Sequence, residues 1–356
     1  MTTTSTTIEW TRNDDGTPGR TWNPVSGCTK ISDGCTNCYA ETIAERFRGS
    51  AAFPHGFDIR VMPDRMNDPL KWRKATRVFV NSMSDLFHSE VDQAWIAEIF
   101  GVMAAARRHT FQLLTKRHAR MRILLTDKEF IAQVRSRALG KGLPEGDWAW
   151  PLPNLWLGVS VENQQWADIR IPELLRTPAA VKFLSCEPLL GPVDLTRIPF
   201  RGDVQYVVDA LRGRYGLREP KELFCFGMAS LTPISWVICG GESGRKARPM
   251  HPDWARSLRD QCAKARVPYF FKQHGEWEPL GPLYGELEET DDGHLEAIGL
   301  EVVEGKRVIQ LESDGYIAEG HQPADPRTWL MARVGKGRAG RLLDGTEHSA
   351  FPAVTR

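Results

Sequence analysis

The stretch LWLGVSV, residues 155–161, is an almost unbroken run of apolar residues. It lacks the alternation of apolar and polar residues that marks a strand with one face in water. A run of this kind is typical of a strand in a parallel sheet that is covered on both faces. Five similar runs occur along the chain: VFVNSM (78–83), FQLLT (111–115), VKFLSC (181–186), WVICGG (236–241) and PYFFK (268–272).

Amphipathic helices are predicted between these runs. Residues 89–106 repeat apolar side chains at helical spacing, with Ser89 and Asp92 as candidate caps, and residues 252–266 open on Pro-Asp. Alternation of strands and helices predicts an α/β protein with a parallel sheet. With TWNPVSG (21–27) as a first strand, six or seven βα units fit the chain. We therefore expect a complete or partial parallel (β/α) barrel, with an open doubly wound sheet as the alternative.

The chain is predicted to divide into three regions. Residues 1–20 form an N-terminal extension, and residues 21–275 form the barrel-like core. Residues 201–230 interrupt the rhythm of the core and are interpreted as an insertion that is helical in part. After residue 275 the composition turns acidic and glycine-rich and then basic, so residues 276–356 are interpreted as a C-terminal subdomain or tail.

The composition is ordinary for a globular protein, with 41% hydrophobic and 26% charged residues in 356. The formal net charge of +1 gives no overall field for nucleic acid, although it is compatible with a local basic face. The N-terminus lacks the pattern of a secretory signal, and no apolar run approaches the ~18 residues that span a bilayer. Seven cysteines, an odd number, argue against a disulfide framework. These features predict a cytoplasmic protein without a membrane partner.

Three of the seven cysteines lie in CTKISDGCTNCYA, residues 28–40, with the spacing C-x6-C-x2-C. Their neighbours are mostly polar, which argues against inert core cysteines. A structural zinc site needs four ligands, and no second cysteine or histidine pair follows. A [4Fe–4S] cluster held by Cys28, Cys35 and Cys38 would instead leave one iron open to a small molecule. The cluster is our preferred interpretation, with zinc and metal-free cysteines as the alternatives.

The segment NPVSGCTKISDGCTNCYAETIAERF, residues 23–47, resembles the cluster loop of radical SAM enzymes, most closely the branch of spore photoproduct lyase. The chain as a whole resembles the phage- and prophage-associated three-cysteine-motif family, which has no assigned function. The segments that carry this likeness are NSMSDLF (81–87), FQLLTKR (111–117), WLGVSVE (156–162), SCEPLLGP (185–192), GGESG (240–244), KQHGEW (272–277) and VGKGRAGRLLDG (334–345).

Two features depart from the radical SAM pattern. The usual spacing is C-x3-C-x2-C, and this loop carries three extra residues between Cys28 and Cys35. The residue before the last cysteine is usually aromatic, whereas here it is Asn37, and an aromatic residue, Tyr39, comes directly after the last cysteine. Both departures concern the placement of S-adenosylmethionine more than the ligation of a cluster.

The resemblance implies a [4Fe–4S] cluster on Cys28, Cys35 and Cys38, S-adenosylmethionine as second cofactor, and an external electron donor. Such enzymes cleave S-adenosylmethionine reductively, and the resulting 5′-deoxyadenosyl radical removes hydrogen from a substrate, for which nucleic acid is a candidate here. The protein binds and orients the reactants while the cofactor performs the chemistry. The opposing hypothesis is a non-catalytic zinc or iron–sulfur module that shapes an interaction with nucleic acid or protein.

Polar residues follow the predicted strand ends, where the loops of a (β/α) barrel form its active site. Cys186 is a candidate catalytic residue, because a thiol at a strand end can return a hydrogen atom to a substrate radical. The structural alternatives are helix caps for Ser84 or Asp85, ion pairs for the glutamates, and a core position for Cys186. The candidate S-adenosylmethionine-binding residues are Ser84, Asp85, Lys116, Ser160, Glu162, Glu187, Gly240, Gly241 and Glu242.

The segment GKGRAG, residues 335–340, satisfies the glycine pattern of a dinucleotide-binding turn. Only sixteen residues follow it, too few for the helix and acidic strand that a Rossmann unit requires. Its basic residues, with Arg333 and Arg341 on either side, are either contacts for a nucleic-acid backbone or a solvated basic tail.

Overall fold

A seven-stranded parallel sheet forms the centre of the protein, which we describe from a computed structural model. The structure describes residues 5–200, 203–217, 231–282, 288–289, 295–296, 306–318 and 327–353. Each apolar run noted above contains a strand, and TWNPVSG contributes the end of the first. The strands are β1 (Arg20–Trp22), β2 (Arg77–Val80), β3 (Thr110–Thr115), β4 (Leu155–Ser160), β5 (Val181–Cys186), β6 (Trp236–Gly240) and β7 (Tyr269–Gln273).

The strands lie side by side in the order in which they occur along the chain, and all neighbouring pairs are parallel. A doubly wound sheet reverses its order at a switch point, whereas a barrel does not. Within the described residues, β1 and β7 are the two edges and do not pair with each other. The expected partial parallel (β/α) barrel is therefore confirmed at the level of an open half-barrel, and the doubly wound alternative is wrong.

Helices cover one face of this sheet, which we call the outer face. Side chains such as Val78, Leu113, Leu157 and Cys239 pack with them in the main hydrophobic core. The first turn of the helix Gln93–Ala105 is capped as expected, because the Asp92 carboxylate accepts a hydrogen bond from the Ala94 amide at 2.7 Å. The helices are α1 (Tyr39–Arg46), α2 (Gln93–Ala105), α3 (His118–Thr126), α4 (Lys128–Gly140), α5 (Gln164–Leu175) and α6 (Pro252–Ala265).

The opposite, inner face of the sheet carries a separate aromatic cluster, contributed by alternate residues of the same strands. Trp10 enters it from the N-terminal segment, with its ring centroid 4.6 Å from that of Phe79. Phe351 enters from the C-terminal segment, 5.1 Å from the Trp236 ring. The buried members are Trp10, Phe79, Trp156, Val181, Phe183, Trp236, Ile238 and Phe270.

The two ends of the chain also cover the two edge strands. Ser5 forms an antiparallel bridge to Arg20 of β1, and Ser349 forms one to Phe270 of β7. An uncovered strand edge presents unpaired backbone groups that invite aggregation. Residues 5–11 and 348–351 are thus part of the half-barrel, whereas the sequence interpretation treated them as an extension and a tail.

Two antiparallel sheets are added to the core. The described part of the predicted insertion, residues 203–217, forms two strands and no helix. These strands form a sheet with Ile198–Phe200, which precedes the insertion, and residues 201–202 and 218–230 lie outside the described residues. The C-terminal sheet has its own small core around Trp277, Leu311 and Met331. In sheet order, the strands are Arg214–Leu217, Asp203–Asp209 and Ile198–Phe200 in the first sheet, and Trp277–Pro282, Trp329–Arg333, Val308–Leu311 and Ile317–Ala318 in the second.

Short elements complete the structure. Strand pairs are Val25–Ser26 with Arg60–Val61, Glu288–Glu289 with Leu295–Glu296, and Leu342–Leu343 with Thr346–Glu347. One-turn α-helices are Asp68–Lys71 and Lys336–Ala339, and 3₁₀ turns are Glu9–Thr11, Asp33–Cys35, Pro63–Arg65 and Glu145–Asp147. In the part of the chain that the structure describes, every helix is too short or too polar to cross a lipid bilayer.

The inner face has no space for an added methyl group at Gly158. A Cβ there would lie 2.5 Å from the buried ring of Phe183. We predict that Gly158→Ala lowers the free energy of unfolding by about 1–3 kcal/mol, because rigid aromatic packing cannot absorb the overlap. The measurement is denaturant unfolding followed by tryptophan fluorescence.

Gly146→Ala is the matched control, because a Cβ at this exposed position meets nothing within 4 Å. Its free energy of unfolding should stay close to that of the parent. Equal effects of the two substitutions would contradict the packing of the inner face.

Candidate functional site

A cavity of about 400 Å³ opens at the carboxyl ends of the sheet strands. Its floor is apolar and includes Trp10, Phe79 and Leu114 of the inner-face cluster. The carboxyl ends of parallel strands are where α/β proteins place their ligand sites. The polar and loop residues that line the cavity are Gly34, Asn37, Cys38, Tyr39, Lys116, Ser160, Ser185, Glu187, Gly241, Glu242, Ser243, Lys272, Gln273 and Lys336.

The three clustered cysteines occupy a loop at the rim of this cavity. Cys28 follows the short strand Val25–Ser26, Cys35 ends the 3₁₀ turn Asp33–Cys35, and Cys38 is the residue before α1. All three are half-buried and none forms a disulfide. The start of the loop is fixed to the segment that follows β2, since the Gly27 amide donates to the Met83 carbonyl at 3.1 Å.

The thiols have different surroundings. Burial and the nearby Asp85 carboxylate raise the pKa of Cys28 to about 11, although the adjacent Arg117 acts in the other direction. The Cys35 sulfur lies 3.7 Å from the Ser32 hydroxyl, and Cys38 borders the cavity. Among the described residues, no three cysteine, histidine or acidic side chains are arranged as a group that would hold a metal ion.

A buried carboxylate fastens the cysteine loop to the sheet. Glu162 follows β4 and is fully buried, and its Oε1 accepts a hydrogen bond from Ser32 Oγ at 2.8 Å. Gly34 packs against it so closely that a Cβ would lie 2.5 Å from Glu162 Cγ. Lys116 Nζ lies 3.3 Å from the same oxygen. The loop is thus seated on the end of the central strand through a polar contact and a glycine.

The charge of Glu162 is balanced from the outer face. Arg170 of α5 donates from Nη1 to Glu162 Oε2 at 2.8 Å and to the Ser160 carbonyl at 2.9 Å. Both side chains of this ion pair are fully buried. The Arg170 guanidinium also lies 4.1 Å from the centre of the Trp166 ring. Burial lowers the pKa of Arg170 from its ordinary value, while Glu162 opposes that shift.

A second buried carboxylate fastens the other side of the loop. Glu242 follows β6, and its Oε2 accepts hydrogen bonds from Asn37 Nδ2 at 3.0 Å and from the Arg248 amide at 2.8 Å. Arg248 also binds this carboxylate through its guanidinium and reaches the Asp33 carbonyl at 3.0 Å. Burial alone raises the pKa of Glu242, but the hydrogen bonds from Arg248 and Asn37 outweigh it and hold that pKa below its ordinary value.

A third charged pair lies across the cavity wall. Lys272 Nζ lies 3.1 Å from Glu187 Oε1. The same oxygen would be 2.8 Å from a Cβ at Gly240, so this glycine leaves room for the pair. Gly241 is packed even more closely, because a Cβ there would overlap the His274 carbonyl oxygen. Both glycines are therefore explained by close packing at the cavity wall.

The structure brings most of the predicted site residues together. Lys116, Ser160, Glu187, Gly241 and Glu242 line the cavity. Glu162 and Gly240 lie directly behind its wall, as the contacts above show.

Ser84 and Asp85 are engaged in local structure instead. Ser84 Oγ donates to the Val25 carbonyl at 2.8 Å. Asp85 accepts from Thr115 Oγ1 at 2.7 Å and from the Lys116 amide at 2.9 Å. These bonds join the short strand Val25–Ser26 and the end of β3 to the loop after β2. Neither Ser84 nor Asp85 lines the cavity.

Cys186 is not brought to the cavity. It is fully buried on the outer face, in the main core with the helices. Burial, together with the neighbouring Cys239, raises the pKa of its thiol well above the ordinary value. Successive strand residues point to opposite faces, so Ser185 lines the cavity in its place. The structural alternative for Cys186, a core position, is the one observed.

Several cavity and loop residues were not predicted as site residues. Trp10 lies in the supposed extension, Lys336 in the basic tail, and Ser32 and Asn37 inside the cysteine motif. The signal for Ser32 and Asn37 is that buried carboxylates at strand ends need hydrogen-bond donors, which polar residues of a nearby loop can supply. Trp10 carries no local signal, because its contacts are with strands far away in the chain. Lys336 was noted only as one of the basic residues that could contact nucleic acid or form a solvated tail.

Comparison with known proteins identifies one family. The family model described as a protein of unknown function (DUF5131) matches residues 5–352. No curated protein and no solved structure matches the chain.

Removing the negative charge of the buried Glu162 carboxylate should strongly destabilise the folded protein. We expect Glu162→Gln to lower the free energy of unfolding by about 3–5 kcal/mol, because it leaves Arg170 buried without its anion. The same substitution should speed amide hydrogen exchange in residues 32–38, which lose their seat on β4. Denaturant unfolding and hydrogen-exchange mass spectrometry measure the two effects.

Glu145→Gln is the control, because Glu145 pairs with Arg135 at 2.7 Å but is 77% exposed. An exposed pair contributes about 0–1 kcal/mol, so this variant should unfold like the parent. Unchanged exchange in residues 32–38 of Glu162→Gln would contradict the anchoring role.

Proposed function

We propose that the chain, which belongs to the DUF5131 family of proteins of unknown function, is an iron–sulfur enzyme of the radical SAM type. In this proposal Cys28, Cys35 and Cys38 hold a [4Fe–4S] cluster, and S-adenosylmethionine binds in the adjoining cavity. The observation that carries it is the position of the cysteine loop. Three free, half-buried thiols occupy the carboxyl rim of a parallel half-barrel, and Cys38 borders a polar cavity there.

The donor set fits the cluster in its chemistry. Thiolates are the ligands of iron–sulfur clusters, and no disulfide competes for these sulfurs. Cys35 lies near enough to Cys28 to contribute to the raised pKa of the Cys28 thiol. The thiols are not gathered as a metal-holding group among the described residues, so loading has to draw them together and remove their protons.

The cavity suits a ligand that carries charges of both signs and one flat apolar group. Its volume of about 400 Å³ lies within the range of small-molecule sites. Lys116, Lys272 and Lys336 supply cations and Glu187 and Glu242 supply anions. The aromatic floor suits an adenine ring. When bound, the cluster and S-adenosylmethionine supply one-electron cleavage of the sulfonium and a radical that removes hydrogen from a substrate.

The chain's own residues bind, orient and exclude water. Trp10 and Phe79 form part of the cavity floor, where their rings pack against each other. Glu162 and Glu242 hold the cysteine loop from two sides. A reactive intermediate needs this kind of closed, rigid site, because stray water or a mobile loop would open side reactions. An external electron donor and a substrate, with nucleic acid as a candidate, complete the proposed reaction.

Metal content and product formation test the proposal against the non-catalytic zinc or iron–sulfur module. We expect anaerobically reconstituted protein to be brown, with about four irons and four sulfides per chain. After reduction with dithionite, it should convert S-adenosylmethionine to 5′-deoxyadenosine. Iron and sulfide assays, visible absorbance and chromatography of the product measure these quantities.

Cys35→Ala should lose both colour and product, because the cluster loses a ligand. Cys262→Ala is the matched control, since Cys262 is a buried core residue of α6 on the outer face, and it should keep both. Colourless protein that holds zinc would overturn the proposal. A cluster that never cleaves S-adenosylmethionine would favour the non-catalytic module.

A further inference from the structure

Two basic loops that are far apart in the chain meet at the mouth of the cavity. Arg333 donates from Nη2 to the Gly244 carbonyl at 3.2 Å and to the Arg245 carbonyl at 2.6 Å. Glu276 adds a second tie, because it accepts from the Gly244 amide at 3.0 Å and its carbonyl accepts from the Val334 amide at 3.0 Å. We call residues 244–248 and 333–338 together the basic rim.

Three cations of the basic rim are available to a partner. Arg245, Lys246 and Lys336 are exposed, and none forms an ion pair with any residue that the structure describes. Lysines deeper in the cavity wall differ, since Lys116 faces Glu162 and Lys272 faces Glu187. The net charge of the whole chain is only +1. The rim therefore carries a local group of exposed cations, one of which, Lys336, lines the cavity.

An exposed aromatic ring lies across the same mouth. Tyr39 borders the cavity with Lys336, and 53% of its surface is exposed. Its hydroxyl donates to the Ser82 carbonyl at 2.5 Å, which fixes the ring at the rim. Asn37 connects the two sides, because its Nδ2 donates to the Lys246 carbonyl at 2.9 Å.

We propose that the basic rim and Tyr39 bind a single strand of nucleic acid. Arg245, Lys246 and Lys336 contact successive phosphates, and a base stacks on the Tyr39 ring. Cations that follow a backbone, together with aromatic rings for the bases, are the usual means of binding single strands. The inference rests on the proposed function in one respect: it names the substrate class of the same site.

The arrangement favours a single strand over other polyanions. A duplex keeps its bases stacked inside, where an exposed ring at the edge of a cavity cannot reach them. An acidic peptide matches the cations but offers no base for the Tyr39 ring. A membrane surface requires a broad apolar face, whereas Tyr39 borders a concave site with exposed cations beside it.

The test measures binding of a fluorescein-labelled, mixed-sequence 12-nucleotide DNA or RNA to the full-length chain by anisotropy. Lys246→Glu/Lys336→Glu should weaken binding at least about tenfold at low salt and should flatten the dependence of log Kd on log salt, by about 0.7 per lost phosphate contact. Arg73→Glu/Lys74→Glu is the matched control. It reverses two exposed cations before β2, at the amino end of the sheet, and should bind like the parent.

A second pair of variants tests the aromatic contact. Tyr39→Ala should weaken binding about 5- to 150-fold, the range expected for one lost base stack, whereas Tyr39→Phe should keep most of the affinity. Equal losses in both reversal variants, or no loss in Tyr39→Ala, would overturn the inference. Equally tight binding of a duplex of the same sequence would also overturn the inference. The same holds if phosphatidylserine vesicles bind more tightly than the oligonucleotide and this binding depends equally on Lys246 and Lys336.

The two proposals fail separately. Iron content is measured in the same samples, and Lys246→Glu/Lys336→Glu should keep the iron of the parent. Rim-dependent binding by a protein that takes up no iron would support the inference and overturn the proposed function. Iron-loaded protein that binds no oligonucleotide would support the proposed function and overturn the inference.

Discussion

A parallel sheet that does not close into a barrel leaves one face and two edge strands without partners, and this constraint governs the structure. The protein meets it with its own chain ends. Residues 5–11 cover β1 and place Trp10 on the inner face, while residues 348–351 cover β7 and add Phe351. These rings pack on the inner face of the half-barrel, and the cavity lies next to them at the carboxyl ends of the strands. The position of the site therefore follows from how the open sheet is completed.

The rim of that cavity is organised by two buried carboxylates, each matched with an arginine. Glu162 with Arg170 and Glu242 with Arg248 hold the cysteine loop from opposite sides. Burying a charge is costly unless it is paired and hydrogen-bonded, so such pairs are poor devices for stability alone. They do define one geometry sharply. In the proposed cluster site, the loop that carries the three cysteines would gain from that definition, since its own residues are mostly polar.

Much of the fold could be predicted from the sequence, because continuous apolar runs mark strands that are covered on both faces. In such a continuous apolar run, however, the sequence does not indicate which residues point to the inner face of the sheet and which to the outer face. This is why Cys186 was expected at the site, whereas Ser185 lies there. Polar residues at strand ends were found correctly as a class, but Asp85 shows that a strand-end carboxylate can be used entirely by nearby hydroxyl and amide donors. Contacts of Trp10 and Phe351 depend on elements distant in the chain and leave no local pattern.

The central claim is that one loop supplies three sulfurs to a cluster and leaves one iron open toward the cavity. Electron paramagnetic resonance of the reduced, reconstituted protein tests it most directly, with spectra taken before and after addition of S-adenosylmethionine. The account predicts a cluster spectrum whose g values change on addition, because the open iron gains nitrogen and oxygen ligands in place of solvent. A cluster spectrum that stays the same at saturating S-adenosylmethionine would contradict it.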